Sequence, residues 1–212
     1  MRILHGYKAI PDDGRGAAIA LGNFDGVHAG HRHVIDTARA LAAETGAPLG
    51  VALFNPHPRR FFAPDAPAFR LMSVDRRNRI LAQLGVERLH TLPFDAEMSK
   101  MTPGEFVRDV LAGGLGVSGV ATGADFRFGA GRAGSTHELA ELCAAHGIAT
   151  AFAELHGNGA DKVSSTRIRK AIQDGDMRAA RRPRPPSGSP AAPARRPARP
   201  HDRLSDRQCD TG

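Results

Sequence analysis

The chain has 212 residues, 41% hydrophobic and 24% charged, with a formal net charge of +7. That is enough for one full domain with a tail, while no apolar run approaches the ~20 residues of a membrane-crossing helix and the N-terminus lacks a signal-peptide pattern. Two cysteines, Cys143 and Cys209, rule out a disulfide framework, so a cytoplasmic location is expected and Cys143, among apolar helix positions, reads as a small core residue.

The charge is unevenly placed. Residues 181–212 carry eight arginines against three aspartates, a local charge of +5 that leaves +2 for residues 1–180. The high isoelectric point therefore belongs to the tail and is weak support for nucleic-acid binding by the body.

In chain order, short apolar runs alternate with helical patterns. The runs at 17–21, 49–54, 88–93, 119–122 and 149–154 read as strands. Between them lie amphipathic segments at 32–44, 74–84, 103–112 and 136–146, with a last helix at 166–174. Thr102-Pro103-Gly104-Glu105 combines an N-cap, a proline at the first helical position and a capping-box glutamate; Ser135 to Glu138 is a second capping box. Gly46, Gly85, Gly147 and Gly175 stand where left-handed C-caps are wanted. Such alternation with short connections predicts an α/β fold: a five-stranded parallel sheet with helices on both faces. Ligands of such sheets bind outside the carboxyl ends of the strands, where strand order reverses.

After Arg181 the pattern stops. Residues 181–212 hold seven prolines and eight arginines, no aromatic residue and a single leucine. So little apolar surface cannot offset ordering entropy, which predicts a domain at 1–180 and a disordered tail at 181–212.

Four motifs carry chemistry. The first is GNFDGVHAGH at 22–31, between the first strand and the first helix. A strand, a turn without bulky side chains and a helix start form an anion site, since free backbone N–H groups and the positive end of the helix dipole face whatever lies over the turn. His28 and His31, three apart, share a side of a helical turn and both reach one phosphate chain, while Gly30 lets a nucleotide approach the backbone. A metal pair would need further ligands, which are not evident nearby.

The second is KVSSTRIR at 162–169, where Ser165 and Thr166 cap a helix and Arg169 lies one turn on. By itself it reads rather as an ordinary N-cap followed by a basic solvated face. A nucleoside triphosphate, though, needs charge neutralised on its α-phosphate and on its departing pyrophosphate, and two anion sites would do that. The third, NPHPRRFFAP at 55–64, reads as a stiff loop presenting an aromatic wall to a flat ligand, or as a connector with one docked phenylalanine. The fourth, TGADFRFGAGRAG at 122–134, surrounds one acid and two aromatics with glycine. Asp125 there fits a ribose or metal–phosphate contact, and equally an Asx-turn.

Taken together, the four motifs resemble the adenylyltransferase module of bacterial bifunctional riboflavin kinase/FAD synthetases, from about Ile19 to Ala180. The resemblance implies a Rossmann-like nucleotidyltransferase fold, Mg²⁺, and the reaction of ATP with FMN to give FAD and pyrophosphate. It implies catalytic roles for His28, His31 and Arg169. It assigns ATP binding to Gly22, Asn23, Phe24, Gly30, Asp125, Lys162, Ser165 and Thr166, and flavin binding to His57, Pro58, Phe62, Phe106 and Phe128; it leaves the metal ligands unassigned.

Three departures stand out. Asn55 occupies a position where this family usually has an acid, and Lys162 one where arginine is common. Family members continue into a riboflavin kinase barrel, whereas Arg181-Arg182-Pro183-Arg184 follows here, so no kinase activity is expected. Such an ending matches a reading-frame shift in a GC-rich gene, or a genuine disordered tail. The rival readings are a nucleotidyltransferase with another phosphate acceptor, a non-catalytic remnant that binds flavin or nucleotide, and a nucleic-acid binder driven by its tail. Nothing in the pattern specifies an oligomeric state.

Overall fold

In a computed structural model, the structure describes residues 1–65 and 70–154. The expected last helix, Gly175, the second phosphate motif with Lys162, Ser165, Thr166 and Arg169, Cys209 and the tail lie outside the described residues.

The elements follow the chain as β1 (Arg2–His5), β2 (Ala18–Leu21), α1 (Ala29–Thr45), β3 (Leu49–Asn55), α2 (Pro58–Phe62), α3 (Val74–Gln83), β4 (Arg88–Pro93), α4 (Pro103–Glu105, continuing as a π-helix over Phe106–Leu115), β5 (Gly119–Gly123), α5 (Thr136–Ala145) and β6 (Ala149–Ala153). All pairings are parallel, in the order β1-β4-β3-β2-β5-β6. The sheet thus has six strands, not the five read from sequence. The additional strand, β1, is an edge strand with only Leu4 buried, so it lacks the apolar run that marks an internal strand.

β2 lies at the centre, buried at all four positions. Its alternation divides the interior into two cores. Ala18 and Ala20 face Val34, Ile35, Ala38 and Leu41 of α1 and Leu81 of α3. Ile19 and Leu21 face the other way, toward Phe106, Val110 and Leu111 of the π-helix and Leu139 and Cys143 of α5. Cys143 is fully buried and its thiol is pushed up to about 12, as desolvation of a thiolate requires. Burying two apolar faces of one sheet is what the near-continuous apolar strands demand.

The local signals act as their chemistry dictates. Thr102 accepts the Glu105 N–H while Glu105 accepts the Thr102 N–H, and Ser135 accepts from Glu138. Gly46, Gly85 and Gly147 sit at positive φ just past their helices. One local reading changes: 58–62 is not loop but the short helix α2, with Pro58 at its first turn and His57 as its N-cap.

From β2 the chain moves outward through β3 and β4 on one side and reaches β5 and β6 on the other. Strand order reverses between β2 and β5, so the segments leaving their carboxyl ends flank the crevice where α/β sheets bind ligands. Those segments are GNFDGVHAGH and TGADFRFGAGRAG.

Candidate active site

The turn after β2 is strained. Phe24 and Val27, neither glycine, hold φ of 51° and 36°, and Gly26 lies at 87°. Gly26 is required twice over, because a Cβ there would also sit 2.9 Å from Leu71 Cδ1. Two contacts hold the turn in place. Phe24 is buried beneath it, its ring 5.2 Å from that of His31. The Asp25 carboxylate accepts the Leu71 N–H on both oxygens, at 3.0 and 3.1 Å, which ties the turn to the segment before α3.

The turn ends at α1, which starts earlier than its apolar pattern: His28 is the N-cap and Ala29 the first helical residue. His28 Nδ1 accepts the His31 N–H at 3.3 Å. A nitrogen that accepts carries no proton, so neutral His28 holds its proton on Nε2. The His28 and His31 rings stack with centroids 3.7 Å apart and planes 18° from parallel. Two imidazoles therefore stand face to face on the N-terminus of a 17-residue helix, at the positive end of its dipole. Asn23 completes the turn. Its Oδ1 is buried and finds no hydrogen-bond donor among the described residues. An orphaned buried acceptor costs about 1–3 kcal/mol, which a ligand donor would relieve.

Across the crevice, Asp125 is exposed in the turn that leaves β5, where Phe126 N–H donates to the Gly123 carbonyl at 3.0 Å. The rest of that loop is pinned downward. Phe128 exchanges backbone hydrogen bonds with Gly134, and its ring lies where a Gly134 Cβ would fall, 2.6 Å from the nearest ring carbon.

The aromatics expected around a flavin sit at different depths. Phe62 on α2 is 68% exposed, while Phe106 and Phe128 are buried in the core at 3% and 6%. A chain of ring contacts joins them: Phe62 and Phe61 both pack edge-on against Phe94, which meets Phe54, which meets Phe106 and then Phe128. Half-buried Phe54 and Phe94 were not singled out from sequence. Their signal was position: Phe54 lies at the carboxyl end of β3 and Phe94 follows β4 directly. His57 Nδ1 accepts the Arg59 N–H at 3.0 Å, capping α2 and bringing Pro58 and Phe62 to this edge.

Between the histidine turn and α2 lies a shallow, solvent-open cleft lined by Asn23, Asp25, Phe54, His57, Arg70 and Arg77, among others. The sequence reading missed both arginines, which lie in and just before an ordinary-looking polar helix.

The profile of the FAD synthetase family matches residues 10–167, well over half of the chain. The chain belongs to the FAD synthetase family. It is 34% identical over 182 residues to the bifunctional riboflavin kinase/FMN adenylyltransferase of Pseudomonas fluorescens, covering 86% of this chain and 58% of that protein. The Escherichia coli K12 protein of the same description is 33% identical over 177 residues, covering 84% and 56%. A FAD synthetase from Listeria monocytogenes is 32% identical over 182 residues, covering 85% of this chain and 73% of that protein. The chain thus spans a little over half the length of the two bifunctional relatives. A solved structure from Streptococcus pneumoniae, described as a macrolide-efflux protein, superposes with a TM-score of 0.74 at 27% identity, over 84% of this chain and 58% of that one. For the FAD synthetase fold this supports the α/β architecture; among the described residues no helix is long and apolar enough to cross a membrane.

The implied magnesium ion was tested against the residues present. Mg²⁺ usually keeps several waters and takes one or two carboxylates plus substrate phosphates. Among the described residues no three His, Cys, Asp or Glu side chains gather into a metal site, and both Asp25 oxygens already accept the Leu71 N–H. An ion of that kind needs no such cluster, because water and the substrate phosphates supply most of its ligands.

Proposed function

We propose that this chain transfers AMP from ATP to the phosphate of FMN, giving FAD and pyrophosphate. The observation that carries the reading is the stacked His28–His31 pair on the N-terminus of α1, at the point of strand-order reversal, in a turn whose Asn23 and Asp25 line a cleft with Phe54 and His57. A helix N-terminus with two imidazoles suits a phosphate chain, and the exposed Phe62 edge suits a flat ring system.

In this reading an oxygen of the FMN phosphate attacks the α-phosphorus of ATP in line. The bond from the α-phosphorus to the bridging oxygen breaks, and pyrophosphate leaves with that electron pair. No side chain serves as nucleophile, because the acceptor is already an anion. The enzyme's task is positioning and charge stabilisation. His28, donating through Nε2, and His31 serve the triphosphate with the α1 amides. Gly22, Phe24 and Gly30 shape the turn, and Asn23 Oδ1 accepts from the bound nucleotide. Asp125 faces the ribose from across the crevice. Lys162, Ser165, Thr166 and Arg169 supply the second anion site of the motif, outside the described residues. Magnesium would arrive on the triphosphate, and no step here passes through it. His57 and Pro58 set α2 so that Phe62 walls the flavin. Buried Phe106 and Phe128 support that wall through Phe54 and Phe94. The small cysteine count supports a reducing, cytoplasmic setting.

The experiment is an acceptor comparison. With ATP held constant, FMN should support pyrophosphate release and FAD formation, and riboflavin should yield neither FMN nor FAD. Equal turnover with an unrelated phosphate acceptor, or no FAD from ATP and FMN, would overturn the assignment.

A further inference from the structure

The residues assigned so far serve the ATP phosphates and the flavin ring, and leave the acceptor's own phosphate without a seat. That phosphate must lie between the ring system at α2 and the α-phosphorus near His28. The cleft bounded by Asn23 and Asp25 on one side and Phe54 and His57 on the other occupies that interval. We propose that Arg70 and Arg77, which line it, form the subsite for the flavin substrate's phosphomonoester, an assignment that rests on the FMN adenylyltransferase reading above.

The electrostatics of the cleft favour a dianion. Two guanidiniums face a single carboxylate, Asp25, whose oxygens are already engaged by the Leu71 N–H. Arg70 donates from Nη2 to Asn55 Oδ1 at 3.3 Å, so an amide orients the guanidinium without neutralising it. Arg77 is half-buried, and its side-chain reach to Asn78 Oδ1 is long, at 3.4 Å. Burial, then repulsion from Arg70, hold Arg77 below the usual guanidinium value, with Asp25 opposing them. A half-buried cation beside a like charge is an unfavourable arrangement that an incoming dianion reverses. Arginine's planar fork also matches phosphate oxygens in pairs. The Asp25–Leu71 tie fixes the segment carrying Arg70 to the histidine turn, so the two anion sites keep a constant separation.

The test compares FMN with riboflavin, which share a ring system and differ by the phosphate, using quenching of flavin fluorescence on the 212-residue chain and its Arg70→Gln, Arg77→Gln and Arg77→Lys variants. Each Gln variant should weaken FMN binding about 10-fold or more, the scale of losing one charge-assisted pair. Riboflavin binding and the KM for ATP should change less than about twofold, and Arg77→Lys should recover part of the loss. Exposed Arg70 provides an arm that does not threaten the fold. Equal weakening of FMN and riboflavin, a rise confined to the KM for ATP, or no change would each overturn the proposal. The outcomes also separate it from the reading beneath it. FAD synthesis with unaltered FMN binding in the variants sinks the subsite alone. Selective loss of FMN binding in a chain that makes no FAD sinks the activity alone.

Discussion

His28 caps the backbone of His31 and stacks on its ring 3.7 Å away, so one imidazole both starts α1 and sets the plane of the other. Two roles are therefore superimposed on one side chain, and substitutions can separate them. His28→Ala should cost about 1 kcal/mol of stability, as loss of a cap does. It should also lower kcat about 10²-fold, the scale of losing a transition-state donor. His28→Asn restores a capping acceptor, so it should regain the stability but not the rate. His31→Ala should lose the rate similarly, and FMN affinity should hold within about twofold in all three. Thermal midpoints, steady-state rates and flavin titrations check this; near-normal turnover in His28→Ala and His31→Ala would remove the phosphate role.

Gly26 tests the strained turn itself. Its φ of 87° and the 2.9 Å from a Cβ position to Leu71 Cδ1 leave no room for a side chain. Gly26→Ala should cost about 1–3 kcal/mol, by strain in a sparsely populated region and displacement of the Leu71 segment. Urea midpoints measure it, and kcat should fall with stability, because the turn carries the histidines. An unchanged midpoint would mean the turn relaxes freely.

Phe62 and Phe128 should part company. Phe62 is 68% exposed and Phe128 6%, so Phe62→Ala should weaken flavin binding with little loss of stability. Phe128→Ala should destabilise by about 3–5 kcal/mol, as large-to-small core changes do. Chemical denaturation and flavin titration of the two variants separate a wall from a support.

The outcome for these aromatics illustrates what was legible from residue order. Motif 22–31 was readable because strand, turn and helix start are contiguous and the apolar period marked both flanking elements, although it put the start of α1 near residue 32 rather than at Ala29. β1 was not: an edge strand with one buried residue carries no apolar signature. Helix α2 was passed over because Pro56, Pro58 and Pro64 together read as loop, although Pro58 at a first helical turn is a start signal. The depth of Phe106 and Phe128 depends on packing between α4, the loop after β5 and β3, which are far apart in the chain. Arg70 and Arg77 needed the Asp25–Leu71 contact to be seen at the cleft, since nothing in their own segment distinguishes them from solvated basic residues.

His90 sits in the sheet interior, 1% exposed, and both ring nitrogens lack hydrogen-bond partners among the described residues. Burial, assisted by Arg88, lowers its pKa from 6.5 to about 4. The unfolded chain therefore binds a proton that the folded chain refuses between about pH 6.5 and about pH 4. Stability from this source is intact above that window and falls with pH through it, on the order of 3 kcal/mol in all. His90→Leu should flatten that part of the profile and cost little at neutral pH, because no hydrogen bond is lost. Urea denaturation of both proteins across pH 4–7 checks the slope, and identical slopes would exclude His90 as its source.

The central claim is AMP transfer from ATP to FMN, and following the α-phosphate tests it most directly. Purified 212-residue protein is incubated with FMN and ATP labelled on the α-phosphate, and flavin and pyrophosphate are quantified. The label should appear in FAD, with one pyrophosphate formed per FAD and none without FMN. Label remaining in ATP or appearing as free AMP while FMN is bound and unconsumed would contradict it.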